Sequence, residues 1–148
     1  MKRYVLDSNL FIAAARDRDK AEELRAFSAW RLPQLHLHAV VAQELIAGAT
    51  TAKWGHELDR SIIAPYEKRG RIVTPTYRAW KRSGEVLSEL IRMKKLARNG
   101  VARSFLNDLL IATSCREAGF TLITTNTKDF DLISEVAPFA FLPPWPKR

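Results

Sequence analysis

The sequence predicts a three-layer α/β/α fold, in which helices cover both faces of a central, mostly parallel sheet. Short apolar segments alternate with longer helical segments along the chain, a pattern typical of parallel strands joined by helices. The 148 residues, 47% of them hydrophobic, suffice for one packed domain. No internal repeat or low-complexity linker divides the chain. We therefore expect a single domain over residues 1–148.

Five strands are predicted from short apolar or β-branched segments. They cover residues 2–6, 35–38, 72–73, 121–124 and 139–142. The last is expected at the sheet edge, before an extended tail over about residues 143–148, where prolines block regular pairing. Helices are predicted between the strands, with Ser104 as the cap of the sixth. They cover residues 8–15, 19–30, 40–47, 52–67, 75–96, 104–118 and 126–132.

The charge balance favours a polyanionic partner such as nucleic acid. The chain has 24 Lys and Arg against 16 Asp and Glu, a net charge of +8. Cys115 is the only cysteine, which excludes an intrachain disulfide and a cysteine-based zinc site. The first apolar run stops at Asp7 and is too short for a signal peptide, and no later run approaches a membrane span. We therefore expect a cytoplasmic protein.

Three acids occupy unusual positions. Asp7, Glu44 and Asp108 each interrupt an otherwise apolar segment, and Asp129 follows the fourth predicted strand closely. In parallel α/β folds, ligands bind beyond the carboxyl ends of the strands, so Asp7, Asn126 and Asp129 can share one rim of the sheet. Clustered buried carboxylates repel each other unless a cation or hydrogen bonds compensate them. Mg²⁺ and Mn²⁺ prefer such oxygen ligands and suit phosphodiester hydrolysis.

Each acid also has a purely structural interpretation. Asp7 could cap the first helix, and Glu44 could pair with an arginine of a neighbouring helix. Asp108 could interact with a helix dipole from the first turn of its helix. Asp129 could be a surface acid in a turn. The metal-site hypothesis depends on all four acids fitting one pattern.

Three segments, in this order, resemble the PIN domain family and, within it, VapC-like toxin ribonucleases. They are YVLDSNLFI, VVAQELIAGA and SFLNDLLIATSCREAGFTLITTNTKDF. The first matches a strand followed by Asp-Ser/Thr-Asn, and the second an apolar helix carrying Glu-Leu. The third matches an Asp-led helix, a strand and a Thr-Asn-X-X-Asp-Phe ending. These motifs span almost the whole chain, and their combination is specific.

The resemblance implies a PIN fold that binds Mg²⁺ or Mn²⁺ through Asp7, Glu44 and Asp108. Relatives carry either Asp at the position of Asn126 or, as here, Asn followed by an acid, so Asp129 is the expected fourth ligand and catalytic acid. Asn126 could instead complete the site with its carbonyl oxygen. Supporting roles are implied for three further residues, Ser8, Asn9 and Thr125. The resemblance also implies an antitoxin whose C-terminal segment covers the acidic cleft, and a homodimer.

Basic residues are concentrated after the long predicted helix. Those expected to bind the phosphates of a nucleic acid are Arg92, Lys94, Lys95, Arg98 and Arg103. A solvated helix end whose cations suit the helix dipole is the alternative. Arg78, Lys81 and Arg82 form a second basic patch on the same helix. The four tryptophans and three histidines are expected mainly to pack, although tryptophans can also stack on unpaired bases.

These observations predict a metal-dependent endoribonuclease that hydrolyses RNA with metal-activated water. One alternative is a PIN-type nuclease of RNA processing or DNA metabolism that has no antitoxin. Another is a nucleic-acid-binding module without catalysis, in which the acids hold a structural ion or pair with arginine. The binding module would not need three intact acids at the family's positions.

Overall fold

A computed structural model describes residues 1–147 of the chain, and Arg148 lies outside the described residues. All five strands form one parallel sheet in the order β3-β2-β1-β4-β5. The strands are β1 (Arg3–Leu6), β2 (Leu35–His38), β3 (Ile72–Val73), β4 (Phe120–Ile123) and β5 (Phe141–Leu142). The predicted α/β class is confirmed, and β5 pairs with β4 at the sheet edge, as expected, but is shorter than predicted.

Within the described residues, eight α-helices connect and cover these strands. They are α1 (Ser8–Arg16), α2 (Arg18–Arg31), α3 (Ala39–Gly48), α4 (Ala52–Leu58), α5 (Ala64–Lys68), α6 (Tyr77–Arg92), α7 (Arg103–Ala118) and α8 (Thr127–Ser134). A 3₁₀ turn over Leu32–Gln34 precedes β2. Among residues 1–147, no helix is long and apolar enough to cross a membrane.

The centre of the sheet places the ends of β1 and β4 side by side. Leu6 pairs with Ile123, and the Asp7 amide donates to the Ile123 carbonyl at 3.0 Å. Asp7 and Thr124 therefore follow their strands at the same level. Because all strands are parallel, their carboxyl ends form one rim, where side chains from several loops can meet.

The helix α7 is packed deeply between the sheet and α6. Its residues from Asp108 to Cys115 are buried without interruption. The two helices run antiparallel, because Thr76, just before α6, bonds Glu117 at 2.7 Å, and Ser83 bonds Thr113 at 2.9 Å. The end of α6 therefore lies towards the start of α7, which carries Asp108.

The helix α6 ends at Arg92, four residues earlier than predicted. Lys94 has a φ of 59°, and the Lys95 and Lys94 amides donate to the Leu90 and Ile91 carbonyls. This is a Schellman motif, which usually places glycine at the left-handed position. Because lysine occupies this position, the sequence gives no signal for a helix end there. The prediction instead used the Asn99-Gly100 pair and placed the helix end too late in the chain.

The helix α7 begins at Arg103, so the prediction that Ser104 caps it was wrong. Ala102 is the N-cap, and no side chain accepts a hydrogen bond there. Its backbone carbonyl instead accepts from the Phe105 and Leu106 amides. Ser104 consequently lies within the first turn with an exposed side chain.

The predicted helix over residues 52–67 contains a π-helical segment, Asp59–Ile63, between α4 and α5. The Ala64 amide donates to the Asp59 carbonyl, five residues back. Pro65 follows, and it lacks the N–H that an α-helical bond would require. The wider turn accommodates this proline within one helical run.

Residues 143–147 form neither helix nor strand. Within this segment the Trp145 ring stacks on Phe27 at a centroid distance of 4.9 Å. Its indole N–H donates to Glu23 at 3.3 Å. The end of the described chain is thereby anchored to α2.

Candidate active site

Asp7 lies in the middle of the rim and is held by three donors. Its side chain is only 3% exposed. Oδ1 accepts from the Ser8 amide at 2.8 Å, so Asp7 does cap α1. Oδ2 accepts from the Thr124 hydroxyl at 2.7 Å and the Asn9 amide group at 3.1 Å. These bonds fix both oxygens of the carboxylate, so the capping role and a place in the site coexist.

Glu44 reaches the same rim from α3 and is half-buried. The Ser8 hydroxyl donates to its Oε1 at 3.2 Å, and the Asn107 amide group donates to its Oε2 at 3.5 Å. Ser8 therefore connects two acids, because its amide holds Asp7 and its hydroxyl holds Glu44.

Asp108 and Asp129 share one donor. The Asn126 side-chain amide donates to Asp108 Oδ2 at 3.1 Å and to Asp129 Oδ2 at 3.2 Å. Asp108 is 6% exposed and lies in the second turn of α7, beyond the first-turn position that the dipole interpretation assumed. Asp129 lies in the first turn of α8 and is half-buried.

The electrostatics show that the acids interact. Burial, followed by the charges of Asp7, Glu44 and Asp129, raises the pKa of Asp108 to about 8. Burial and the charge of Asp7 also raise the pKa of Glu44. Burial raises the pKa of Asp7, although its hydrogen bonds oppose the shift. Ionising all of these groups together is therefore unfavourable.

No basic side chain of residues 1–147 forms an ion pair with any of the four acids. The proposed pairing of Glu44 with an arginine is thus absent from the described chain. Among residues 1–147, only neutral amides and hydroxyls donate hydrogen bonds to these carboxylates. The cluster therefore holds more negative charge than its protein surroundings compensate.

The donor chemistry of this cluster fits a hard divalent cation. All candidate ligands are oxygens, which Mg²⁺ and Mn²⁺ prefer, and a cation would relieve the mutual repulsion. As the side chains stand, no three acidic, histidine or cysteine groups among the described residues converge on a single ion position. The amide of Asn126 lies between two of the acids and holds each of them by a hydrogen bond.

Two residues at the site were missed by the sequence analysis. Thr124 bonds Asp7 through its hydroxyl, whereas Thr125, which was expected to support the site, is exposed and contacts it only through its amide, 3.5 Å from Asn9. Asn107 contacts Glu44. The sequence signal for Thr124 was a polar residue directly after an apolar strand. The signal for Asn107 was its place next to Asp108 within an apolar helix.

The five predicted phosphate-binding cations are all exposed. Arg103 begins α7, one turn before Asn107, so the two lie on the same side of the helix beside the site. Lys95 pairs with Glu135 at 3.8 Å, and Arg92 donates to Ser88 at 2.8 Å. Lys94 and Arg98 form no ion pair within the described chain.

The PIN domain family matches residues 4–136. The chain therefore belongs to the PIN domain family, whose members are nucleases that generally use divalent metals. The match includes all four acids of the rim. Curated proteins offer no match to the chain.

Solved structures similar to this chain include toxin–antitoxin proteins. DNA-bound VapBC from Salmonella typhimurium has 18% identity and a TM-score of 0.69, covering 97% of this chain and 98% of that one. FitAcB from Neisseria gonorrhoeae has 21% identity and a TM-score of 0.69, with 96% and 98% covered. VapBC-1 from nontypeable Haemophilus influenzae has 22% identity and a TM-score of 0.66, with 95% and 96% covered. At these identities the likeness establishes the fold.

Proposed function

We propose that this chain is a Mg²⁺- or Mn²⁺-dependent endoribonuclease and the toxin of a toxin–antitoxin pair. The observation that carries the proposal is the group of four acids, without a cationic partner in the described chain, at the rim of a PIN fold. The net charge of +8 and the exposed cations beside the site favour RNA as the substrate. We place the enzyme in the cytoplasm, where RNA is available as a substrate.

The site residues perform distinct tasks in this proposal. Asp7, Glu44, Asp108 and Asp129 would hold the cation, and Ser8, Asn9, Thr124 and Asn126 orient those acids. When bound, the cation supplies Lewis acidity that lowers the pKa of a water and offsets charge on the phosphate. Arg103, at the start of α7, would contact a phosphate next to the one that is hydrolysed.

An apolar cavity next to the acidic site supports an antitoxin partner. An open cavity of about 350 Å³ adjoins Glu44 and is lined mainly by apolar side chains of α1, α3 and α4, including Phe11, Leu45 and Trp54. A peptide that fills it with apolar side chains and directs a cation towards the acids would block the substrate. The toxin–antitoxin complexes among the structural neighbours support this partner.

We further propose a homodimer and a single domain over residues 1–148. Exposed Ile46 on α3 and Ile72 on β3 line one apolar surface that a second copy would cover. The strand β5 lies beyond the family match yet pairs with β4, which supports one continuous domain.

The decisive experiment compares RNA cleavage by the wild type and by Asp7→Asn in Mn²⁺ and in excess chelator. We expect cleavage only by the wild type with metal, because the substitution removes a charged ligand and disrupts the hydrogen bonds of Thr124 and Asn9. Asp59→Asn, an exposed acid on the π-helical segment, serves as the control and should cleave normally. Cleavage that survives chelation or the Asp7 substitution would disprove the metal mechanism, and binding without cleavage by the wild type would indicate a binding module.

The toxin role has its own test. Expression of the wild type should arrest growth, and co-expression of a small neighbouring gene should relieve the arrest. Arrest by the wild type but not by Asp7→Asn links the effect to the acidic site. RNA cleavage without growth arrest would instead favour a processing nuclease without an antitoxin.

A further inference from the structure

Two large aromatic side chains lie exposed near the start of α6. Tyr77 is 78% exposed and Trp80 is 58% exposed. Three residues apart on a helix, they lie on one side of it, together with Lys81 and Gly84. Neither ring pairs with another aromatic ring among residues 1–147. The fold therefore leaves the faces of both rings accessible.

Two of the three cations near these rings form no ion pair with the described residues. Arg78 and Lys81 are exposed and form no ion pair with any other part of the described chain. Arg82 differs, because Glu85 and Glu89 lie 3.7 and 3.4 Å from it. Arg78 and Lys81 line an open cavity of about 760 Å³ between α6, the end of α7 and residues 136–138. Their charges remain available to an anionic ligand.

Gly84 has no packing role that explains it. A Cβ at this position would meet no atom within 4 Å. Glycine in a helix interior is less stable than alanine, so the fold alone favours alanine here. Because glycine has no side chain, the backbone at Gly84 is exposed on the same side as Trp80 and Lys81. A ligand can approach the helix closely there.

This surface lies away from the acidic site but on the same pair of helices. Thr76 contacts Glu117, which follows Asp108 by nine residues, or about 14 Å along α7. The helix α6 runs back from there towards the cations at its C-terminal end, Arg92, Lys94 and Lys95. One extended strand of nucleic acid along α6 could therefore contact both regions.

We propose that Tyr77, Trp80 and Lys81, with Arg78 on the neighbouring face of α6, form a second RNA-binding site, which holds a single-stranded segment of the substrate outside the acidic site. Bases stack on the two rings, and Lys81 and Arg78 contact the flanking phosphates, as in other sites for unpaired strands. The inference rests on the proposed ribonuclease function. This site would favour substrates with an unpaired stretch next to the cleaved bond over short RNAs.

The first experiment measures binding of a long unstructured polyuridine to the Asp7→Asn protein, which keeps the RNA intact. Trp80→Ala should weaken the Kd roughly tenfold, because stacking contributes strongly for each base. Trp80→Phe should retain most of the affinity. Lys81→Ala should reduce the salt dependence of binding by about one phosphate contact. Lys20→Ala, which removes an equal charge on α2, should leave that slope unchanged.

The second experiment measures cleavage with the wild-type acids. Trp80→Ala should raise KM for the long RNA and leave cleavage of a short RNA, which fills only the acidic site, unchanged. Unchanged Kd and KM in Trp80→Ala would overturn the second site. A changed sedimentation coefficient of the RNA-free variant with unchanged RNA affinity would also overturn it, since the surface would then bind another copy of this chain. If the wild type cleaves neither RNA, the proposed nuclease fails, while the binding measurement still decides this inference.

Discussion

At the scale of single residues, the site opposes the stability of the fold. Asp108 is buried among three other acids, and no cation of the described chain neutralises it. Such electrostatic repulsion is expected where function requires charges that the fold alone does not favour. The neutral donors, Asn126 above all, reduce the repulsion without removing the charge.

Asp108→Asn should therefore stabilise the metal-free protein near neutral pH. Burial and neighbouring charges raise the folded-state pKa of Asp108 from 3.8 to about 8. The stability that the protonated carboxyl group contributes to the free energy of unfolding is fully present below pH 3.8 and is lost as the pH rises towards 8. The gain from the substitution should grow over that range and reach at least about 1 kcal/mol at pH 8. Urea unfolding at pH 4 and pH 8 in chelator measures it.

The RNA-cleaving activity of the same variant should change in the opposite direction from its stability. Asp108→Asn should lose RNA cleavage while gaining stability. Equal stability of the variant and the wild type at pH 8 would contradict the raised pKa.

His38 controls stability on the acid side. It is fully buried, its Nδ1 accepts from the Val40 amide at 3.0 Å, and its Nε2 has no partner within residues 1–147. Burial lowers its pKa to about 4 from 6.5. Between pH 4 and 6.5 the unfolded chain therefore binds more protons at His38 than the folded chain does. The contribution of neutral His38 to the free energy of unfolding is complete above pH 6.5 and is lost as the pH falls towards 4. The slope from this group is up to about 1.4 kcal/mol per pH unit.

His38→Asn isolates this contribution. Asparagine keeps an acceptor for the Val40 amide at the cap of α3 but does not titrate. The free energy of unfolding of the wild type should fall more steeply between pH 6.5 and 4 than that of the variant. Parallel pH profiles would show that His38 does not titrate differently on folding.

At the scale of elements, the apolar patterns of β1, β2 and β3 were sufficient for prediction, because short runs bounded by polar residues have few alternatives. The end of α6 was not predictable, because it depends on Lys94 adopting a conformation that favours glycine. The acids of the site stood out through their apolar neighbours. The contacts of Thr124 and Asn107 depend on the pairing of β1 with β4 and on the approach of α7 to α3, which no local pattern encodes.

Lys94→Gly should raise the free energy of unfolding by about 1 kcal/mol. The left-handed φ of 59° strains a residue with a Cβ but not glycine. Thermal or urea unfolding measures the gain. Lys94→Ala is the matched control, since it removes the same charge but keeps the Cβ, so it should weaken RNA binding as much as Lys94→Gly without stabilising the fold. Equal stability of the two variants would contradict this interpretation of the helix end.

At the scale of the whole molecule, the parallel sheet converts distant sequence positions into one acidic rim. Asp7, Glu44, Asp108 and Asp129 come from four separate segments, and each is placed by the element that carries it. The fold contributes the energy that holds these charges together, and the surrounding net charge of +8 attracts a polyanion towards them. An acidic rim and a net positive charge that attracts polyanions therefore coexist within one chain.

This arrangement predicts that divalent metal stabilises the entire fold. A cation that binds only the folded rim raises the free energy of unfolding by about 2.7 kcal/mol when its concentration is 100 times its Kd. Mn²⁺ should therefore raise the Tm of the wild type at pH 7, and chelator should reverse the increase. Asp108→Asn should begin with a higher Tm in chelator and gain little from Mn²⁺, because it has lost both the repulsion and a charged ligand. Equal metal-induced shifts in the two proteins would place the cation elsewhere than the acidic rim, and the matched variant Asp59→Asn should shift as the wild type does.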